Sequence, residues 1–188
     1  MRNVSDQEII DSVKKGNQAD FSVLIDRYKD RAFSLLKRML KNQFDAEEVL
    51  QDCFLKTYNA LNSFKGDSKF STWFYRIVYN SALTKLSSQK RKTESQMTSV
   101  EDHFDLESDY KPDEIERTDV NNLIQNIISK LPEKYSAIIT MFYLNEMSIE
   151  EISEVMGLSV SNVKVMLHRS RNSLRDFIVK NNLAEELI

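Results

Sequence analysis

Two stretches of this 188-residue sequence carry side chains whose types and spacing could do chemistry. In the first, Phe64, Phe70, Trp73, Phe74, Tyr75 and Tyr79 fall within 16 residues, and Lys65, Lys69 and Arg76 are interleaved with them. Rings that stack on unpaired bases, beside cations that hold a phosphate backbone, are what a single-strand binding surface needs. Phe70, Phe74 and Ile77, like Trp73 and Val78, also keep helical spacing, so some of these rings belong to a core. Tyr75, Arg76 and Asn80 are the hardest of the group to explain as interior. In the second stretch, Ser161, Asn162, Lys164, His168, Arg169, Arg171 and Arg175 share the outer face of one predicted helix, with no acidic residue between Ser161 and Arg175. Fixed cations so placed suit the phosphates and guanine edges of a duplex. The plainer reading is a solvated face whose cations sit toward the helix C-terminus, where the macrodipole favours them.

Other chemistries find no residues to carry them. No glycine-rich phosphate loop, pair of catalytic carboxylates or nucleophile triad is present, so no intrinsic catalysis is expected. His168 has no Cys or Asp at ligand spacing and suits a phosphate or base contact better than a metal. His103 reads as a spectator, and Cys53 falls on an apolar stripe. Neither a metal nor a cofactor is expected.

The elements that must position these residues are helical. Three Gly and two Pro are far fewer than the turns of a sandwich or barrel demand. Ser5-Asp6-Gln7-Glu8 forms a capping box for a first helix that runs to about Lys15 and ends at Gly16. Phe21, Leu24, Ile25, Tyr28, Ala32, Leu35, Leu36, Met39 and Leu40 give one stripe on a helix from about Gln18 to Lys41. Asp45 with Glu48 reads as an acidic cap for a third helix that ends near Ser63, and a fourth spans about Ser71 to Leu86. Beyond it, apolar residues thin out until the stripe returns at Val120, Leu123, Ile124, Ile127, Ile128 and Leu131. Pro132 then reads as the first residue of another helix. Ser148-Ile149-Glu150-Glu151 is a further capping box, and its short helix, Gly157 and the basic helix after it make a helix-turn-helix.

Charge follows the same division. Residues 1–92 carry a net charge of plus 6, residues 93–119 minus 8 and residues 120–188 minus 1, an asymmetry that the overall minus 3 conceals. The expected fold class is all-α: a helical domain over 1–92, a flexible acidic linker over 93–112 and a helix-turn-helix domain over 113–188. A lone cysteine, no apolar leader at the N-terminus and no run of about 20 apolar residues predict a cytoplasmic protein without a membrane span.

In this arrangement the sequence resembles a bacterial RNA polymerase sigma factor of the extracytoplasmic-function (group IV) class. Three segments carry the resemblance: Asp45 to Phe54, Phe64 to Ile77, and Leu131-Pro132-Glu133 with the helix-turn-helix ending in Leu167-His168-Arg169-Ser170-Arg171. The resemblance implies that Asp45, Glu48, Gln51 and Asp52 contact core polymerase. It implies that Phe64, Lys65, Lys69, Phe70, Trp73, Tyr75, Arg76 and Asn80 capture melted minus-ten bases. It assigns Ser161, Asn162, Lys164, Val165, His168, Arg169 and Arg171 to the minus-thirty-five duplex. Val165 and Met166 stand where the family often has a small hydroxylic residue and Arg, and Thr84 and Ser87 where an acidic residue and Arg are usual. The implied partners are core RNA polymerase, promoter DNA as duplex and as melted strand, and an anti-sigma factor. A free-standing dimeric helix-turn-helix regulator is the alternative, and it would bind duplex without polymerase.

Overall fold

The computed structural model describes residues 4–97 and 120–181, all of whose regular elements are helical. Helix α1 (Asp6–Lys14) begins with the expected box: Ser5 Oγ accepts from the Glu8 backbone N–H at 3.3 Å, and Glu8 accepts from the Ser5 N–H at 2.8 Å. A 3-10 turn (Gln18–Asp20) leads into α2 (Phe21–Leu40), which stops where Lys41 turns to a φ of 55°. Helix α3 (Gln43–Ala60) is capped by Asn42, whose side chain accepts from the Asp45 N–H at 3.1 Å. Asp45 and Glu48 are therefore not the cap. Asp45 sits in the first turn, where a carboxylate still favours the positive end of the helix dipole, and Glu48 lies about a turn further on. A second 3-10 turn, Leu61–Ser63, closes α3.

Helix α4 (Phe70–Met97) runs eleven residues past its expected end at Leu86 and five into the stretch read as linker. Polar side chains extend it. Lys85 pairs with Asp45 and Glu48, Gln89 Nε2 donates to Asp45 at 2.8 Å, and Arg91 bonds the Ser87 carbonyl. An apolar count stops where burial stops, whereas the helix continues along the surface of α3. The rest of the predicted linker, with His103, and the Val120 and Leu123 side chains lie outside the described residues.

Helices α1 to α4 enclose an aromatic core. Phe74 is fully buried, stacks on Phe54 with ring centroids 5.0 Å apart and tilts against Tyr28 at 5.5 Å. Full burial of a ring this size contributes about 1.5–3 kcal/mol. Cys53 is buried in the same core as a free thiol, and burial raises its pKa.

The second domain holds α5 (Val120–Lys130), α6 (Glu133–Ile139), a π-helical segment (Thr140–Leu144), α7 (Ile149–Met156) and α8 (Val160–Lys180). Pro132 is the N-cap of α6, one residue before its expected place. The π segment went unread in the apolar pattern, which was searched only for the 3.6-residue period of an α-helix. Helices α6 and α7 pack on α8, with Val163 and Leu167 buried. The two domains also pack on each other: α7 lies against α4, and α5 and α6 lie against α2.

Candidate nucleic-acid interface

The helix-turn-helix forms as its sequence requires. Ser148 Oγ accepts from the Glu151 N–H at 3.1 Å, while Glu151 accepts from the Ser148 N–H at 2.8 Å. Burial of the Glu151 carboxyl works to raise its pKa. Lys69 and the Ser148 cap outweigh that, and the value falls below the ordinary range. Gly157 closes α7 at a φ of 65°, a left-handed turn in which a Cβ would be strained. Ser159 then caps α8 by accepting from the Asn162 N–H at 3.2 Å.

With Val163 and Leu167 turned inward, Ser161, Asn162, Lys164, Val165, His168, Arg169, Arg171 and Arg175 are all exposed on α8. Val165 is 49% exposed, an apolar side chain among the polar and cationic ones of this face. Asn172 Nδ2 lies 3.2 Å from His168 Nε2 along the helix. Arg171 differs from its neighbours. Its Nε donates to the Tyr143 hydroxyl at 2.7 Å, and its guanidinium lies over the Phe142 and Tyr143 rings at 5.7 and 5.5 Å. In this conformation Arg171 ties α8 to the π segment, a contact the sequence did not announce.

The aromatic stretch divides between core and surface. Phe64, Phe70 and Tyr75 are buried, so none of them offers a face to a base in this conformation. Tyr75, read from sequence as hard to explain as interior, is 3% exposed. It shares the core with Tyr28 and Phe74, and burial pushes its phenol well above the tyrosine range. Trp73 is partly buried against Phe64, with ring centroids 5.0 Å apart. Lys65, Lys69, Arg76 and Asn80 are exposed. Arg76 and Asn80 on α4, with Lys65 and Lys69 in the loop before it, therefore present polar and cationic groups outside a packed aromatic layer.

On α3, Glu48, Gln51 and Asp52 are exposed and Asp45 is half-buried. Lys85 bridges Glu48 at 2.6 Å and Asp45 at 2.9 Å, and these two carboxylates hold its ammonium above the usual lysine range. Phe44 and Leu55, 82% and 62% exposed, stand on the same side of the helix as Glu48 and Gln51. Sequence reasoning passed over both, although each falls out of phase with the buried stripe of Ala46, Val49 and Cys53.

No group of His, Cys, Asp and Glu that could hold a metal exists among the described residues, and no described helix is long and apolar enough to cross a membrane.

Residues 24–92 match Sigma-70 region 2, and residues 121–174 match Sigma-70, region 4. The chain is similar to the ECF RNA polymerase sigma factor SigW of Bacillus subtilis (strain 168), at 35% identity over 173 residues that cover 88% of this chain and 92% of that protein. It is 33% identical over 178 residues to the ECF RNA polymerase sigma-E factor of Escherichia coli (strain K12), covering 91% of this chain and 93% of that protein. The fold is shared with CnrH, solved in complex with the cytosolic domain of CnrY, at a TM-score of 0.67 and 22% identity, covering 93% of this chain and 97% of that one. It is shared also with the sigma factor RpoE of Bartonella quintana, solved with the anti-sigma factor NepR, at a TM-score of 0.63 and 19% identity, covering 85% of this chain and 96% of that one. Fold and sequence together define an RNA polymerase sigma factor. The chain belongs to the extracytoplasmic-function (ECF) class of that family.

Proposed function

We propose that this sigma factor divides promoter recognition between its two domains, residues 1–92 and 113–188, and supplies no catalytic group of its own. Helix α8 docks on the minus-thirty-five element as duplex, with Ser161, Asn162, Lys164, Val165, His168 and Arg169 toward the groove. Arg171 stays on the rings behind them or swings out to a phosphate. The observation that carries this reading is the fully exposed, acid-free face of α8, set at a helix-turn-helix angle by the left-handed Gly157.

Lys65, Lys69, Arg76 and Asn80 receive the melted minus-ten strand, supported by Phe64, Phe70, Trp73 and Tyr75. Unstacking a base costs a few kcal/mol, and stacking on the part-exposed Trp73 ring, at about 1–3 kcal/mol per base, offsets much of it. Gln51 and Asp52, with Asp45 and Glu48 beside them and Phe44 and Leu55 as apolar flanks, dock on core RNA polymerase. Two weak modules joined by a tether reach high affinity through effective concentration. This work takes place where polymerase is found, in the cytoplasm. The anti-sigma factor NepR bound to the structural relative RpoE suggests a partner of that kind here as well.

The test mixes the purified chain with bacterial core RNA polymerase and measures co-elution and run-off transcription from a genomic fragment library. The reading predicts discrete transcripts, with co-elution lost in the Gln51→Ala, Asp52→Ala double variant. A chain that shifts duplex DNA alone as a dimer and ignores polymerase overturns it.

A further inference from the structure

The loop that carries Lys65 and Lys69 does not hold itself in place. Among the described residues, Lys65, Gly66, Asp67 and Ser68 make no hydrogen bond to other backbone groups. A segment of that kind takes its position from its two ends. At the far end the Lys69 carbonyl accepts from the Trp73 N–H at 3.1 Å, so Lys69 belongs to the start of α4. At the near end Phe64 leaves the 3-10 turn with extended backbone, and its carbonyl has no backbone donor. That carbonyl accepts instead from Lys14 Nζ at 2.7 Å, from a residue 50 positions away on α1. The same ammonium lies 6.0 Å from the centre of the Phe64 ring, at the outer limit of a cation–π contact. Phe64 in turn packs on Trp73 and Phe70, with ring centroids 5.0 and 5.9 Å apart. One side chain of α1 therefore holds both the backbone and the ring of the residue from which the loop departs.

Helix α1 is a firm base for this contact. Ile9, Ile10 and Val13 are buried, and Asp6 is bonded by Arg27 and Tyr28 of α2. The helix borders the loop at a second point. Gln7 lies two turns before Lys14 on the same face, and a Cβ added at Gly66 would stand 3.8 Å from its Oε1. Gly66 itself turns the chain there at a φ of 82°, which suits glycine alone. The macrodipole accounts for a cation in the last turn of α1, but not for where its ammonium goes. Lys15, the next residue, carries the same charge and is exposed, yet it reaches no loop residue among those described.

Resting on the sigma-factor reading, we infer that Lys14 is a positioning residue for minus-ten capture: it pins Phe64, so that Lys65 and Lys69 stand at a fixed place before the melted strand arrives. Lys14 touches neither base nor phosphate. It supplies preorganisation, since a loop already in place loses less freedom on binding.

The test has two arms. In the free chain, Trp73 is the only tryptophan and packs against Phe64, so its fluorescence reads the anchor. Lys14→Met keeps the aliphatic stem and removes the donor. Acrylamide quenching of Trp73 should rise in this variant. In the second arm, holoenzyme is placed on a promoter recovered by run-off transcription, and unpaired minus-ten thymines are probed with permanganate. The open fraction should fall about two- to tenfold, the worth of one ordinary hydrogen bond, with duplex binding and co-elution with core polymerase unchanged. Lys14→Arg also donates to the carbonyl and should restore both readouts. Lys15→Met removes the same charge one residue away and should change neither. An equal loss in Lys15→Met overturns the anchor in favour of simple charge attraction. Opening lost in step with core co-elution overturns it as well, because that marks a general loss of fold. So does quenching that rises while opening holds. Opening that ignores Lys14→Met in a chain that transcribes refutes the anchor alone, whereas a parent chain that never binds polymerase refutes the sigma reading and this inference with it.

Discussion

Replacing Tyr75 with Phe should stabilise the free protein. The Tyr75 ring is packed among Tyr28 and Phe74, and phenylalanine fills the same space without its hydroxyl. That hydroxyl is buried and has no hydrogen-bond partner. Burying an unpaired hydroxyl costs about 1–3 kcal/mol in protein mutational series. Since this group borders a cavity, the lower part of that range applies, and about 1–2 kcal/mol should be recovered. For a chain of this size each kcal/mol moves Tm by about 2–4 °C, so Tyr75→Phe should melt about 2–8 °C higher. Urea unfolding followed by circular dichroism gives the free-energy change directly, with an unchanged m-value showing that the unfolded state is the same. A lower urea midpoint would refute the reasoning, for it would mean that the hydroxyl makes a bond on which the core depends. If Tyr75 also serves the melted strand through its oxygen, the stabilised variant loses minus-ten capture while it keeps duplex binding.

Three further outcomes are expected. Lys85→Ala removes the bridge to Asp45 and Glu48, costs the free protein about 0.5–1 kcal/mol, and tightens association with core polymerase by releasing two carboxylates, as a titration of labelled protein would show. Lys164→Ala should weaken duplex binding evenly across sequences and reduce the slope of log affinity against log salt by about 1. The pKa of Glu8 is lowered chiefly by the Ser5 backbone N–H, and that of Glu151 is lowered by Lys69 and Ser148 against the effect of burial. The folded state therefore binds fewer protons at these sites than the unfolded one. Their contribution is complete above the ordinary glutamate range and is lost as pH falls through the lowered values. Glu8→Gln with Glu151→Gln keeps both caps, so its urea midpoints should fall less steeply with acid than those of the parent chain.

Much of this protein is decided locally and could be read from sequence alone. Ser5 with Glu8, Ser148 with Glu151, and Gly157 act within one turn of chain, so the residues that start and stop α1, α7 and the helix-turn-helix identify themselves. The exposed cations of α8 follow in the same way, because Val163 and Leu167 fix the helix rotation and the opposite side must face solvent. Tertiary structure decided what spacing cannot. Asn42 rather than Asp45 caps α3, since a cap depends on backbone angles as well as residue type. Helix α4 continues past Leu86 because Lys85 and Gln89 find carboxylates on α3 that are distant in sequence. Tyr75 is interior because Tyr28, on another helix, completes its pocket. Arg171 turns back onto Phe142 and Tyr143, and Lys69 meets Glu151 across the domain boundary. Periodicity reports which side of a helix is buried. Which partner covers that side, and which charge answers another across a gap, depends on how the helices are brought together in space.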